Sequence, residues 1–301
     1  MPDHSLELKT SSTTSHSHYQ IKFNAMASPC EVLLKTQDKK LCKKIARLIT
    51  TEVQRIESKY SRFQETSLLS KINHSNGNSV EIDIETFQLL TYANEVYNLS
   101  DQLFDITSGI LGKLWSFKNQ IYIPNEQKIK KLLPSIGFNK VQYSKNVISL
   151  PRGMQLDFGG IGKEYAVDQV VKMLDSFCKT KRINFLVNLG GDLFAKNYLN
   201  EADSVPWKVG LENSKDGYID LLNGAVATSG TSQRSFMQNG KTYSHLLNPK
   251  TGWPIENPPK SITCFAETCV LAGTYSSLAM LQGSNAETFL KSEDIDNILV
   301  R

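Results

Sequence analysis

Hydrophobic residues repeat at three- and four-residue steps in four segments of the chain, and this period predicts amphipathic helices. The predicted helices cover about residues 38–59, 85–99, 163–177 and 272–282. In the first of them the repeating apolar side chains are Leu41, Ile45, Leu48, Ile49, Val53, Ile56 and Tyr60. Each helix is expected to bury its apolar stripe against other elements and to expose its polar face.

Short runs rich in β-branched and aromatic residues predict strands between these helices. The predicted strands cover residues 19–24, 30–35, 146–150, 154–157, 184–189, 207–211, 218–222, 261–266 and 297–300. Because the strands cluster between a few long helices, they predict an α+β fold with mixed or antiparallel sheets and packed helices. Residues 19–301 show no repeat or linker and are expected to form a single domain. Residues 1–18, rich in Ser, Thr and His, are expected to be a disordered leader.

Composition and charge narrow the class of protein. The net charge of +4 is small for 301 residues, and the lysine runs at 39–44 and 128–131 alternate with Leu and Ile at helical spacing. These runs predict a solvated helix face, so we expect no nucleic-acid partner. The five cysteines are odd in number and contain no C-x-x-C pair, which favours reduced thiols in a cytoplasmic protein. No stretch has the length of a transmembrane helix and no signal-peptide core is present, so we expect no membrane insertion.

A turn with three glycines follows the predicted strand at 154–157 and leads directly into a helix. Glycine lets the backbone approach a ligand closely, and a helix start directs free N–H groups at an anion. The turn is not a phosphate-binding P-loop, which requires Gly where Asp157 stands and Ser or Thr where Glu164 stands. A kinase D-F-G element is excluded because no H-R-D loop precedes it. A ligand role for the turn, with Lys163 in the first helical turn, is favoured over a purely structural one.

Two further segments are ambiguous on their own. The sequence Asn-Leu-Gly-Gly-Asp at 188–192 ends a predicted strand and fits a ligand contact or a simple turn equally well. The segment 102–109 is typical of a loop with a capping acid.

His245 is the third candidate for chemistry. Apart from His74 it is the only histidine beyond the leader. A lone histidine is often a packed core residue, but Ser229, Arg234 and Ser244 would supply donors and a positive charge suited to a phosphate. This neighbourhood favours a functional role for His245.

Taken together and in this order, the segments resemble the ApbE family of FAD:protein FMN transferases. The matching elements are Met26-Ala27-Ser28-Pro29-Cys30 for M-G-T, Ser61-Arg62-Phe63 with Ser70-Lys71-Ile72-Asn73 for S-x-F/Y…S-x-x-N, Phe104-Asp105-Ile106-Thr107 for F-D-x-T, 157–168 for D-x-G-G-x-x-K-G-x-x-x-D, 188–192 for N-x-G-G-D, 227–230 for A-T-S-G and 243–252 for Y-S-H-x-x-D-P-x-T-G. No single motif decides the matter, but seven in register are specific.

The resemblance implies an α+β fold related to the tunnelling-fold sheets, with FAD held in a cleft. It implies flavin contacts at Met26, Phe63, Leu103, Phe104 and Asp105. It also implies contacts with the rest of FAD at Asp157 and Lys163. In the family a magnesium ion is held by a carbonyl of the glycine turn, here Gly160, and by Asp and Thr of a late A-D-x-x-x-T helix. In this chain Gly273 replaces that Asp and Ser277 replaces that Thr.

The departures from the family pattern leave three alternatives open. The loss of a carboxylate at Gly273 removes a charge that Mg²⁺ favours. The ion could bind more weakly and depend on FAD phosphates and water, another acid could substitute, or the chain could bind FAD without turning it over. Glu164 stands where the family has Gly, and Asn248 where it has Asp. Because Asp is no worse than Gly in a helix, an Asp placed at residue 273 is expected to cost little stability.

The resemblance implies that a Thr or Ser hydroxyl of an acceptor protein attacks the FMN phosphorus of FAD and that AMP leaves. His245 is the candidate base, with Asp157 as a possible orienting group, and Lys163 and Arg234 would neutralise phosphate charge. The expected acceptors are flavoprotein subunits of redox complexes or reductases. Two alternatives remain: a hydrolase that splits FAD with water, and a non-catalytic FAD-binding protein.

Overall fold

The computed structural model describes residues 6–13, 16–117, 122–200, 204–211, 217–231, 235–238 and 240–301. The strands are β1 (Glu7–Thr13), β2 (His16–Ala25), β3 (Ser28–Leu34), β4 (Ser79–Glu81), β5 (Gln142–Tyr143), β6 (Val147–Ser149), β7 (Phe185–Leu189), β8 (Asp192–Lys196), β9 (Trp207–Gly210), β10 (Tyr218–Leu221), β11 (Gly224–Gly230), β12 (Ser235–Gln238), β13 (Lys241–Ser244), β14 (Ser261–Ala266) and β15 (Asn297–Val300). The helices are α1 (Lys39–Tyr60), α2 (Leu68–Asn73), α3 (Ile84–Leu99), α4 (Glu126–Leu132), α5 (Gly162–Cys178), α6 (Cys269–Leu281) and α7 (Ala286–Ser292).

Eight strands form the main sheet in the order β1-β2-β3-β7-β8-β11-β14-β15, and every neighbouring pair is antiparallel. Within the described ranges, three smaller antiparallel sheets pair β9 with β10, β12 with β13, and β4 with β6 and β5. The predicted α+β class with antiparallel sheets and packed helices is therefore confirmed.

Both faces of the main sheet are covered, and the alternation of side chains along β7 shows how. Phe185, Val187 and Leu189 point to the core that also contains the buried stripes of α1 and α5. Leu186 points to the opposite face, where it packs with Trp207 and other apolar residues of the β9–β10 hairpin. Because successive strand residues face opposite sides, a strand covered on both faces is apolar throughout. This explains the unbroken apolar run at 185–187.

Helix α1 agrees closely with its predicted range. Its apolar period buries a stripe that includes Ile45, Ile49 and Val53. The Asp38 side chain accepts a hydrogen bond from the Leu41 backbone N–H, which defines the start of the helix. The lysines of the 39–44 run are exposed on the opposite side, so the predicted solvated face is confirmed for this helix.

Three local predictions differ from the structure. Strand β1 pairs with β2 over seven residues, from Glu7 with Lys22 to Thr13 with His16, where a disordered leader was predicted. Ser- and Thr-rich sequence is compatible with an edge strand when a partner satisfies its backbone, which composition alone does not reveal. Residues 1–5 and 14–15 of that leader lie outside the described residues.

The other two differences concern a predicted strand and a helix start. Residues 154–157, predicted as a strand, form no strand. Helix α6 begins at Cys269, earlier than predicted, because Thr268 caps it.

None of the helices in the described part of the chain is both long and apolar enough to cross a lipid bilayer. All five cysteines are buried and carry free thiols.

Candidate functional site

Three of the sequence motifs meet at the start of α5. The β7–β8 turn consists of Gly190 and Gly191, both with positive φ (68° and 101°), as a two-residue hairpin turn requires. A Cβ atom on Gly190 would lie 2.7 Å from Cβ of Ser28, in the β2–β3 hairpin, and 3.7 Å from Cδ of Lys163. Glycine at this position therefore allows both hairpins to approach the lysine.

An ion pair fixes the lysine at this junction. Lys163 Nζ lies 3.0 Å from Oδ2 of Asp192, whose side chain is almost fully buried. Burial alone would lower the pKa of Lys163, but attraction by Asp192 and by Glu164 outweighs it and the pKa is raised. The lysine therefore keeps its positive charge at neutral pH, beside the free N–H groups of the α5 N-terminus.

The glycine turn that precedes α5 is held by Asp157. Its Oδ2 lies 2.7 Å from NH1 of Arg62. Its Oδ1 accepts a hydrogen bond of 2.9 Å from the Gly159 backbone N–H. A Cβ atom on Gly160 would lie 3.1 Å from Cε2 of Phe104, so the turn rests closely on that ring. Asp157, Gly160 and Phe104, which the sequence placed in one site, are indeed brought together here.

Phe63 lies next to Arg62 and faces the solvent. Its side chain is 82% exposed, and the guanidinium of Arg62 lies 4.8 Å from the centre of its ring. Arg62 thus connects an exposed aromatic ring to Asp157. A flat, solvent-facing ring of this kind suits stacking on another aromatic system, and the predicted flavin contact at Phe63 stays a prediction.

Asp105 has a clear structural role. Its Oδ1 accepts hydrogen bonds from the backbone N–H and the hydroxyl of Thr107, at 2.7 and 2.6 Å, and its Oδ2 accepts one from the Phe138 N–H at 3.3 Å. The Thr107 hydroxyl in turn accepts from the Gly137 N–H at 2.8 Å. Asp and Thr of the F-D-x-T motif therefore fix the loop that carries Leu103 and Phe104. A direct flavin contact of Asp105 or of the partly buried Leu103 stays a prediction.

The β2–β3 turn positions Met26 next to the same core. Met26 and Ala27 both have positive φ, at 51° and 56°, in a two-residue turn between Ala25 and Ser28. Met26 is partly buried against the main apolar cluster. Left-handed backbone is costly for residues with a Cβ atom, so the turn carries local strain.

Two departures from the family pattern, Gly273 in α6 and Glu164 in α5, are in contact. A Cβ atom on Gly273 would lie 2.5 Å from Cγ of Glu164 and 2.9 Å from its Oε1. Glu164 is 7% exposed, so it has little room to move aside. The expectation that an Asp at residue 273 costs little stability is therefore wrong while Glu164 is present, because the new side chain would overlap a buried one.

A group of hydroxyls lies one helical turn further along α6. The Ser229 hydroxyl of β11 lies 2.9 Å from that of Ser276 and 3.2 Å from that of Ser277. The Ser276 hydroxyl also donates to the Gly273 carbonyl at 3.0 Å. The A-T-S-G motif therefore meets the predicted metal residue Ser277 directly.

Burial makes Glu164 electrostatically unusual. Loss of water, and then repulsion from Asp192, raise the pKa of Glu164 well above its ordinary value, while Lys163 opposes the shift. Its Oε2 is buried and has no hydrogen-bond partner among the described residues.

His245 follows β13 and is partly buried. The hydroxyl of the preceding Ser244 is buried without a hydrogen-bond partner in the described ranges. Arg234, which the sequence grouped with His245, lies outside the described residues. The catalytic role of His245 stays a prediction.

The donors around Glu164 fit a hard cation better than a soft one. The described residues contain no group of three or more His, Cys, Asp or Glu side chains able to hold a metal ion. A buried carboxylate oxygen without a partner is the kind of ligand that Mg²⁺ uses when phosphates and water complete its shell.

Sequence reasoning missed roles for Arg62, Asp192 and Glu164. Arg62 and Asp192 lie inside motifs but pair with acids or bases far away in sequence, so no local pattern indicated their roles. For Glu164 the sequence did hold a signal, because a carboxylate is gained at residue 164 and one is lost at residue 273 relative to the family pattern.

The sequence profile of the ApbE family matches residues 17–299. The FAD:protein FMN transferase of Klebsiella pneumoniae is 28% identical over 288 residues, covering 91% of this chain and 86% of that protein. The protein of the same name from Vibrio cholerae is 27% identical over 254 residues, covering 79% and 74%. The crystal structure of the ApbE protein from Thermotoga maritima has a TM-score of 0.82 with 28% identity and covers 94% of both chains. The chain belongs to the ApbE family.

Proposed function

We propose that this protein is an FAD:protein FMN transferase that moves FMN from FAD to a Thr or Ser hydroxyl of an acceptor protein and releases AMP. The observation that carries the proposal is that the β2–β3 turn, the β7–β8 turn and the glycine turn before α5 meet at the charged Lys163. Relatives of the chain bear the name FAD:protein FMN transferase. A fixed cation beside free helix N–H groups suits a pyrophosphate.

FAD would lie with its flavin end against Met26, Phe63, Leu103, Phe104 and Asp105. Its pyrophosphate would lie at Asp157 and Lys163, next to the glycine turn. Arg62 contacts the exposed ring of Phe63 and forms an ion pair with Asp157, at the glycine turn that precedes α5. This arrangement supports a ligand with an aromatic end and an anionic middle.

The transfer forms one P–O bond and breaks another. The acceptor hydroxyl oxygen attacks the FMN phosphorus, the anhydride bond breaks, and AMP leaves with the bridging oxygen and its electron pair. His245 would be the base that accepts the hydroxyl proton. Lys163 and the α5 N–H groups stabilise charge on the phosphate oxygens. Gly160, through its carbonyl, and Ser277 would hold a Mg²⁺ ion, which neutralises phosphate charge when bound.

The acceptor is proposed to be a flavoprotein subunit or reductase that carries a Thr or Ser flavinylation site. We place the reaction in the cytoplasm, which the odd number of unpaired cysteines supports.

Turnover of FAD tests the proposal. The purified chain is incubated with FAD and Mg²⁺, with and without an acceptor peptide, and AMP, FMN and flavin-bearing peptide are quantified. A transferase forms AMP and flavin-bearing peptide together, and only with acceptor. AMP and free FMN without acceptor would identify a hydrolase instead, and FAD bound but unchanged would identify a binding protein. We also expect tighter binding of FAD than of FMN, because the proposed contacts extend past the flavin phosphate.

A further inference from the structure

Glu164 is a buried acid that links α5 to α6. It stands in the first turn of α5, and its side chain crosses to α6, where Cγ occupies the space that a Cβ atom on residue 273 would take. Only glycine at residue 273 leaves this space open. Glu164 and Gly273 therefore form a matched pair, although they lie on different helices and far apart in the sequence.

The unpaired oxygen indicates a missing partner. Oε2 of Glu164 is buried and has no hydrogen-bond partner among the described residues. Buried carboxylates are normally paired, because an isolated buried charge is costly. The neighbouring cation, Lys163, already donates to Asp192 at 3.0 Å.

Helix α6, which the Glu164 side chain contacts at Gly273, carries further oxygen donors. The Gly273 carbonyl is followed, one turn on, by the hydroxyls of Ser276 and Ser277, which share Ser229 as a neighbour. Glu164 has two acidic neighbours, Asp192 and Asp168, and one basic neighbour, Lys163. A buried carboxylate oxygen without a partner, in such an acidic neighbourhood, suits a hard divalent cation.

From these contacts we infer that Glu164 is the carboxylate ligand of a divalent cation, and that it has taken over this task from residue 273. The two departures from the family pattern, a carboxylate gained at 164 and one lost at 273, then describe a single carboxylate moved from α6 to α5. Ser277, one helical turn from Gly273, keeps a hydroxyl at the position where the family has its Thr ligand. This inference rests on the proposed function in one respect only, the role of the bound ion in neutralising phosphate charge.

Ion binding is measured on the chain alone, without FAD or acceptor, so that its failure is separate from a failure of transfer. Free Mn²⁺ is followed by electron paramagnetic resonance, and Mg²⁺ is then added as a competitor. Glu164→Gln keeps the shape and removes the charge. Glu287→Gln, on the exposed face of α7, is the control. The wild-type chain should bind one Mn²⁺ that Mg²⁺ displaces, Glu164→Gln should weaken binding about ten-fold or more, and the control should leave it unchanged.

A second pair of variants removes any dependence on the folding of Glu164→Gln. Glu164→Gly empties the space, and Glu164→Gly with Gly273→Asp returns a carboxylate from the opposite helix. The double variant should bind Mn²⁺ at least about ten-fold more tightly than Glu164→Gly alone, since even the loss of an outer-shell partner typically costs about 10–100-fold in affinity. A wild-type chain that binds no Mn²⁺, equal affinities of wild type and Glu164→Gln, or equal affinities of the Glu164→Gly single and double variants would each overturn the inference.

Discussion

A methyl group at residue 273 should destabilise the protein only while Glu164 is present. In Gly273→Ala the new Cβ would lie 2.5 Å from Cγ of Glu164, where carbon atoms normally stay about 3.5–4.0 Å apart. One of the two side chains must move by about 1 Å. Glu164 is buried between α5 and α6, so the displacement strains the contact between these helices.

Two opposing effects set the magnitude. Replacing Gly by Ala in a helix interior stabilises the helix by about 0.8–1.0 kcal/mol. Overpacking a buried contact costs about 1–3 kcal/mol. The net effect of Gly273→Ala in the wild-type chain is therefore a loss of about 0–2 kcal/mol. In a Glu164→Ala background the overlap is gone, and the same substitution should stabilise by about 1 kcal/mol.

Urea unfolding of the wild type, both single variants and the double variant measures the coupling free energy between the two positions. We expect about 1–3 kcal/mol, well above the roughly 0.5 kcal/mol within which independent substitutions add. Gly210→Ala is the control, since a Cβ atom at residue 210 meets nothing within 4 Å. If the effects of Glu164→Ala and Gly273→Ala simply add, the two residues do not compete for one space and the account of this contact is wrong.

Three further predictions concern other parts of the molecule. His245→Ala should lower the rate of flavin transfer by about 10²–10⁴-fold and change FAD affinity only a few-fold, because a base acts in the transition state; wild-type turnover would show that His245 is a packing residue. Ala27→Gly should raise the free energy of unfolding by about 1 kcal/mol, because Ala27 has a φ of 56° that glycine adopts without strain; an unchanged urea midpoint would contradict this. Burial alone would raise the pKa of Glu85, but hydrogen bonds from Arg55, Lys59 and Tyr165 lower it to about 2. Its stabilising effect is therefore complete above about pH 4.3 and lost as the pH falls towards 2. Glu85→Gln should lower the free energy of unfolding by about 2 kcal/mol at pH 7 and by little at about pH 2. An equal loss at both pH values would show that the Glu85 charge does not stabilise the fold.

The parts of the fold that repeat with a clear period could be predicted from the sequence. The apolar stripe and the Asp38 cap of α1 both belong to the helix segment or stand directly before it, so local sequence was enough to predict its range within a residue. Strand β7 is apolar on both faces and was equally visible. In contrast, β1 depends on pairing with β2, and a polar edge strand has no periodic signal of its own.

The candidate site was only partly predictable, for a related reason. Asp157, the glycine turn and Lys163 lie within one motif, and the structure places Gly160 of the turn against Phe104. The partners of these residues come from distant segments: Asp192 reaches Lys163 and Arg62 reaches Asp157. The sequence showed that residues 164 and 273 both depart from the family pattern, but only the packing of α5 on α6 shows that they meet.

Mass spectrometry of an acceptor protein shows directly whether the chain transfers FMN. The acceptor is incubated with the wild-type chain, FAD and Mg²⁺, digested, and searched for a peptide that carries one FMN group in phosphoester linkage. We expect that this peptide appears, that it contains the modified Thr or Ser, and that it is absent when that residue is replaced by Ala. An acceptor that stays unmodified while FAD is converted to AMP and free FMN would contradict transfer and identify the chain as a hydrolase.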